Sequence, residues 1–498
     1  MPDVIEHIRG TASLVAPEII LLAGVCVLFL VGPMFVSDAG EAPSGLRNRW
    51  GLFSLFTLVL AAVVWYGRGT DAIQGGMFHV DSLVWYVRGL SLIAGVLLAL
   101  VLWNQIDDAH SAEAHACLLS IIAGTSLVAA ANDLVSLFLA LELVSIPTYV
   151  ILYLGRRDRV GGEATLKYFL LSIFSSALVL YGMSWVYGVA GSTNFVAIRE
   201  VVVYRTQAHA GEGMLEIAFA LLVAGLCFRI AAVPFHFYAP DVFQGTTAAN
   251  AAMLSIVPKV VGFVALMRVI PLSGAANGLL HWSPDGDAKS LLAVLAVATM
   301  FVGNLMALRQ KHLYRLMAYS SIAHAGYMVI GLVVGDALPI GGRQAILFYL
   351  ATYGLMTIGV FALISAGGGD GGPLRTDAEL RGLSRTQPMI ALLLAICLFS
   401  LTGLPPTAGF LAKLNLFLAA WSDESRISHT LAVIMAINAA IGAYYYLRLV
   451  ALMFLEPTTE PTPARAGLAW APWLAGVACA FATIAIFVTP QWLWDSIH

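Results

Sequence analysis

The sequence is poor in charge. Of 498 residues, 26 are Lys or Arg and 29 are Asp or Glu, so charged residues make up 11%, against roughly a quarter in soluble domains. That deficit excludes an ordinary water-soluble fold and makes the lipid bilayer the main solvent. The formal net charge of -3 and the absence of a basic patch argue against nucleic acid as a partner. Cysteine is scarce too. Cys26, Cys117, Cys227, Cys397 and Cys479 stand far apart, with no CxxC pair and no Cys/His cluster, so no Fe–S cluster, zinc site or disulfide framework is expected. They read as small buried hydrophobes. Flavin and haem motifs are also missing, so no cofactor and no redox chemistry are expected within this chain. A cleavable signal peptide is excluded as well. The first apolar run, about 14–35, is too long, carries Pro17-Glu18 and is followed by no small-x-small site.

What is present is a series of long apolar runs. Measured against the roughly 20 residues of a spanning helix, they predict an all-α polytopic membrane protein of about fourteen helices. The first eight fall near 14–36, 50–67, 82–103, 114–131, 133–154, 163–190, 215–238 and 245–270. The other six fall near 289–308, 313–334, 343–366, 388–419, 430–455 and 468–490. Only Asn132-Asp133 separates the fourth from the fifth, which makes the count weakest there.

Loop Lys and Arg residues set the orientation. One set of alternate loops holds Arg47, Arg49, Arg156, Arg157, Arg159, Arg309, Lys311, Arg375, Arg381, Arg385 and Arg465. The opposite set holds Arg9, Arg68, Arg199, Arg205, Arg343 and Arg426. The richer set is expected in the cytoplasm, which puts both termini in the periplasm of a bacterial inner membrane.

Two predicted helices are interrupted: the seventh by Pro234 within Val233-Pro234-Phe235-His236, and the twelfth by Pro405-Pro406 with Gly409 beyond. Proline removes a donor and clashes with the preceding turn, and the freed backbone groups cannot face lipid. The breaks lie five helices apart. That spacing predicts three leading helices (1–112), a five-helix unit (113–272), a second such unit (273–456) and a C-terminal helix (457–498). Paired broken segments in repeated halves mark a transport site; an ordinary proline kink is the plainer alternative for each.

Charges inside these runs cost about 2.5–3.5 kcal/mol each at a helix centre, so each needs a partner or a wet cavity. Glu142, Lys259 and Lys413 lie deep in their runs, and Arg229 precedes the Pro234 break. His324 reads either as a packing histidine or as a wet link, and Lys167 as interfacial or functional. Arg268, Arg315 and Arg448 are expected to snorkel to the headgroups. His236 is placed to satisfy carbonyls freed by the break, and Glu18, near a helix end, reads as structural. Burial disfavours the charged form of carboxylates and amines alike, so both can exchange protons. Two unit charges about 7 Å apart at an effective dielectric near 20 interact by roughly 2.4 kcal/mol, enough for one charge to switch its neighbour's protonation. These residues predict movement of protons or small cations.

Several segments resemble a known family. Val233-Pro234-Phe235-His236-Phe237-Tyr238-Ala239-Pro240-Asp241-Val242-Phe243-Gln244-Gly245 is similar to the signature of subunit N of bacterial respiratory complex I, the counterpart of mitochondrial subunit 2. Leu401-Thr402-Gly403-Leu404-Pro405-Pro406 with Lys413 resembles its twelfth helix, and Glu163 to Leu171 and Tyr319 to Tyr327 also look like it. The resemblance spans nearly the whole chain. It implies an antiporter-like fold with inverted five-helix repeats, discontinuous in helices 7 and 12. It implies a proton channel coupled to NADH:quinone electron transfer, with NADH, FMN, Fe–S clusters and quinone on partner subunits. Glu142, Lys259 and Lys413 match the family's fifth-, eighth- and twelfth-helix charges.

Two positions depart from the pattern. Arg229 stands where the family usually has lysine, and Thr246-Thr247-Ala248-Ala249-Asn250 replaces a proline-containing stretch. Arginine keeps its proton, so Arg229 is expected to tune Glu142 rather than carry a proton. A subunit of a multi-subunit cation/proton antiporter, a subunit of a related membrane-bound hydrogenase, and an inactive scaffold are the competing readings.

Overall fold

The computed structural model describes residues 10–37, 42–68, 73–207, 212–273, 286–336, 341–368, 372–457 and 469–497. Arg9 and Arg465, counted above among the loop charges, lie outside these residues, as does the side chain of Arg205.

The leading helices are α1 (Ala16–Val31), α2 (Leu46–Tyr66) and α3 (Ser82–Leu102). Next come α4 (Ser111–Ala130), α5 (Leu134–Gly155), α6 (Arg159–Ala190), α7 (Phe195–Gln207), α8 (Glu212–Arg229), α9 (Ala239–Gln244) and α10 (Ala248–Val269). Apart from a single turn at Leu383–Thr386, the rest are α11 (Gly286–Ala307), α12 (Leu313–Val334), α13 (Gly342–Gly367), α14 (Pro388–Thr402), α15 (Ala408–Ser422), α16 (Arg426–Phe454), α17 (Trp470–Val488) and α18 (Pro490–Ile497). Twelve helices among the described residues are long and apolar enough to cross a membrane, and α14 and α15 are shorter apolar helices.

Several helix starts are written locally. Asp81, Asp133, Asp158 and Thr247 each accept a backbone N–H three residues on, at 2.9, 2.7, 2.8 and 3.3 Å. These caps satisfy donors that lipid cannot. Thr247, within the stretch that departs from the family pattern, caps the start of α10.

Both expected breaks are present. The first begins earlier than the sequence suggested, because α8 stops at Arg229 and Ala231 adopts φ +55°. The run read as one helix near 388–419 is two, α14 and α15, joined by 403–407. The short helices α9 and α18 were not anticipated, and nor were two further elements: an antiparallel hairpin, β1 (Ile73–Gly75) with β2 (Phe78–Val80), and α7. Neither has a long apolar run to announce it.

The core is formed by α10, α12 and α13, which are buried almost throughout, whereas α2 and α6 lie on the perimeter. Helices α11 and α12 approach closely at Gly303 and Gly326. A Cβ on Gly303 would meet the Ala323 backbone nitrogen at 2.5 Å, and one on Gly326 the Met300 nitrogen at 2.7 Å. This contact seats the His324 turn of α12 in the interior. At one end of the molecule the basic loops converge. Leu313 N donates to Arg375 O (2.8 Å), Asp377 N to Lys311 O (2.9 Å), and Arg156 Nη1 to Gln244 O (3.3 Å).

Candidate functional site

The first charged group joins α5, α6 and α8. Glu142 Oε1 accepts from Ser176 Oγ at 2.6 Å and lies 3.5 Å from Arg229 Nη2. Arg229 Nη1 donates to Ser145 Oγ at 2.8 Å, and Nη2 reaches Ser176 Oγ at 3.5 Å. Ser176 thus sits between carboxylate and guanidinium. Arg229 is buried and ends α8, where a cation opposes the negative end of the helix dipole. Arg229 and Glu142, which the sequence could only suggest as partners, are brought together.

The break after Arg229 is satisfied internally. Ala231 N donates to Phe228 O and Ala232 N to Cys227 O, both at 2.9 Å. Tyr238 Oη donates to Phe228 O at 3.1 Å, and Val233 N to Thr299 Oγ1 at 3.1 Å. Tyr238 and these amides hold the Phe228 and Cys227 carbonyls.

Lys259 follows Pro258 inside α10 and is 2% exposed. A Cβ on Gly262, one turn further, would meet Arg229 Cβ at 3.4 Å, so the Arg229 backbone adjoins the Lys259 face. Lys259 Nζ donates to Ser321 Oγ and lies 5.5 Å from the centre of the Tyr353 ring. From Ser321 a buried stripe continues on α12 through His324 to Tyr327, at the i, i+3, i+6 spacing of one helix face. His324 lies between two tyrosines, with Nδ1 2.8 Å from Tyr349 Oη and Nε2 3.1 Å from Tyr446 Oη. Tyr446 Oη also shares a hydrogen with Ser320 Oγ. Asn304 donates to Tyr327 Oη at 3.0 Å and to Asn438 at 3.2 Å, and accepts from Tyr445 at 3.1 Å. His324 therefore sits in a network of buried hydroxyls and amides, an arrangement that fits either of its two readings.

Lys413 on α15 closes the row. Its Nζ lies 5.5 Å from the centre of the Tyr327 ring and donates to Leu401 O at 2.9 Å and Thr402 O at 2.7 Å. Those carbonyls end α14. The twelfth-helix break therefore supplies the partial negative charge that a carboxylate would otherwise provide. Among the described residues neither Lys259 nor Lys413 has a carboxylate within ion-pair distance. Pro405 and Pro406 lie in the turn that opens this end, and Pro234 in the turn after Arg229.

Lys167 is not part of the Glu142 group. It stands nine residues before Ser176 on α6, at the basic-loop end, paired with Glu163 at 2.8 Å and Asp241 at 2.9 Å. Three arginines expected to reach the headgroups also have partners within the protein. Arg268 is buried against Asp81 (3.0 Å) and Ala129 O (2.7 Å). Arg315 pairs with Asp241 at 2.6 Å, and Arg448 Nη2 donates to Gln310 O at 2.6 Å. Sequence reasoning also missed Tyr327, Tyr349, Tyr353, Tyr445 and Tyr446, all buried. The triplet Tyr444-Tyr445-Tyr446 within an apolar run was the available signal, since buried tyrosine hydroxyls usually find partners. Among the described residues no group of three His, Cys, Asp or Glu side chains is placed to hold a metal ion.

Paired charges, broken helices and a polar row through a lipid-facing bundle define the class of antiporter-like membrane proteins. Residues 131–442 match the family model described as NADH:quinone oxidoreductase/Mrp antiporter, transmembrane. A relative from Solibacter usitatus, NADH-quinone oxidoreductase subunit N 1, is 35% identical over 487 residues, covering 96% of this chain and 95% of its own. A chain in the structure of respiratory complex I from Thermus thermophilus with bound aureothin superposes with a TM-score of 0.79 at 31% identity, covering 97% of this chain and 99% of that one. A chain of the Mrp complex from Dietzia shares the fold alone, at 20% identity and a TM-score of 0.76 over 96% of both chains. The chain belongs to the NADH-quinone oxidoreductase subunit N family, as its motifs suggested, and is a multi-pass membrane protein.

Proposed function

We propose that the chain is a proton-translocating membrane subunit of a bacterial NADH:quinone oxidoreductase. In this reading NADH, FMN, Fe–S clusters and quinone are bound by other subunits. The observation that carries it is the polar row Glu142–Arg229, Lys259, His324, Lys413, running through helices otherwise apolar. The basic loops face the cytoplasm, both termini lie in the periplasm, and locating the termini tests that orientation. Residues 113–272 and 273–456 form the two five-helix units, each with one broken segment. With each broken segment taken as one crossing, the chain crosses fourteen times.

Each member of the row has a distinct task. A proton on Glu142 Oε1 neutralises the carboxylate and leaves the Arg229 charge uncompensated beside α10. Arg229 keeps its own proton throughout. Lys259 Nζ holds or releases a proton toward Ser321 Oγ. His324 continues the path because one ring nitrogen donates while the other accepts, with a tyrosine hydroxyl on each side. Lys413 Nζ holds its proton against the α14 carbonyls until the row is filled. Pairwise coupling of roughly 2 kcal/mol between neighbouring charges lets one protonation event drive the next.

Replacing Lys413 by alanine in the assembled complex is expected to lower protons pumped per electron while quinone reduction continues. Unchanged pumping would instead favour a scaffold. Arg229→Lys is expected to keep pumping, because a lysine ammonium can supply the same charge beside Glu142; loss of pumping in an assembled complex contradicts the tuning role. Gly403 has φ +86°, and a Cβ there would meet Lys413 Cδ at 2.9 Å and Nζ at 3.3 Å. Gly403→Ala therefore strains the backbone by roughly 1–2 kcal/mol and displaces Lys413. Slower proton transfer with normal assembly is the expected result, measured by dye quenching in vesicles.

The Mrp-like fold keeps a cation/proton antiporter subunit as the second reading. Purifying the native complex and identifying its partner subunits separates the two.

A further inference from the structure

Asp241 takes no part in the row described above, yet each of its carboxylate oxygens holds a different cation. Lys167 Nζ donates to Oδ2 at 2.9 Å and Arg315 Nη1 to Oδ1 at 2.6 Å. Lys167 also reaches Glu163 at 2.8 Å, and Arg315 also donates to Gln244 Oε1 at 3.0 Å. The Lys167, Asp241 and Arg315 side chains are 40%, 38% and 26% exposed. Pairs this exposed add little to stability, so stability alone does not account for two cations converging on one carboxylate.

Their placement does. Lys167 stands on α6, nine residues before the Ser176 that holds Glu142. Arg315 stands on α12, six residues before the Ser321 that holds Lys259 and nine before His324. Asp241 itself is on α9, the short helix between the Arg229 break and α10, and α9 packs against both α6 and α12. One carboxylate thus ties together the elements that carry both halves of the charged row.

We propose that Asp241 is a positioning residue for proton transfer. It holds the segment after the first break between Lys167 of the first half and Arg315 of the second, so that a change on one side is felt on the other. The inference rests on the proton-translocating reading given above. Because the two cations share one anion, weakening either contact strengthens the other and shifts α9 toward the half that keeps it. Helices α6 and α12 move as rigid rods, which carries that shift roughly 13 Å along α6 to Ser176 and roughly 9 Å along α12 to Ser321, at 1.5 Å per residue.

The test uses the assembled complex in sealed vesicles, with pumping and quinone reduction followed across a pH series. Asp241→Asn is expected to lower protons moved per electron at least about twofold, the scale of coupling carried by non-contacting residues, and to shift the pH profile. Asp241→Glu is expected to restore most of the loss, which a merely structural role would not require. Wild-type pumping and pH profile in Asp241→Asn would overturn the proposal. If Asp241→Asn does not assemble, Lys167→Gln and Arg315→Gln take its place: reduced pumping in either supports the proposal, and wild-type pumping in both overturns it. Glu142→Gln serves as the reference. If it lowers pumping while Asp241→Asn does not, only this inference falls. If neither does, the proton-translocating reading falls with it.

Discussion

Replacing Lys259 with methionine is expected to abolish proton pumping by the assembled complex while leaving its fold and assembly intact. Lys259 is the most enclosed charge in the row, and among the described residues it has only Ser321 Oγ and the Tyr353 ring for polar partners. Methionine has a similar length and shape, so the packing of α10 against α12 and α13 survives, and volume-conserving swaps in cores usually cost under about 1.5 kcal/mol. Removing a buried charge that has no counter-ion creates no new unpaired charge, and replacing buried ions by apolar groups is often neutral or stabilising. What is lost is, among the described residues, the one side-chain amine placed between Arg229 and His324 to hold the proton. The check is pumping in sealed vesicles together with the thermal melting of the purified complex. A variant that melts normally and pumps normally would remove Lys259 from the path.

The second large effect lies away from the row. Glu18 and Arg88 form a fully enclosed pair: Arg88 Nε donates to Glu18 Oε1 at 2.6 Å and Nη2 to Oε2 at 3.1 Å. Nη2 also donates to Leu14 O at 2.8 Å, and Ser126 Oγ to Glu18 Oε1. The pair ties α1, α3 and α4 together, and the two side chains are 1% and 4% exposed. Breaking such a pair on one side leaves a buried charge and costs about 3–5 kcal/mol. Glu18→Gln is therefore expected to lower the thermal stability and the yield of assembled complex sharply. The double change Glu18→Gln with Arg88→Met is expected to recover much of the loss, because the stranded guanidinium is gone. A single variant as stable as the wild type would show that water or lipid reaches this site.

Much of this was readable before any coordinates. Lipid imposes a length and a composition on every spanning segment, so the helices stand out as apolar runs. Charges are so costly there that Glu142, Lys259 and Lys413 identify themselves by position alone. Prolines cannot stay in a helix interior unnoticed, which is why both breaks were visible. The structure added partners for the arginines. Arg268 and Arg315 sit near helix ends, where snorkelling is the usual outcome, but Asp81 and Asp241 approach them from elements far away in sequence. The same holds for Arg88, whose partner Glu18 lies 70 residues earlier. The hairpin at 73–80 and α7 escaped notice because short pieces outside the apolar runs carry no strong periodic signal.

From the sequence alone came the class of solvent, the broken segments, the buried charges and the resemblance to subunit N. These follow from local chemistry: a residue's cost in lipid, or proline's missing N–H, does not depend on distant neighbours. Only the tertiary structure decided which charges meet. It placed Ser176 between Glu142 and Arg229, seated His324 between Tyr349 and Tyr446, and turned the α14 carbonyls toward Lys413. It also left Lys259 and Lys413 without a carboxylate among the described residues, and gave Asp241 a cation from each half. Pairing depends on which helix faces meet across the bundle, and that is set by close contacts such as Gly303 on Ala323 and Gly326 on Met300, which no single segment encodes by itself.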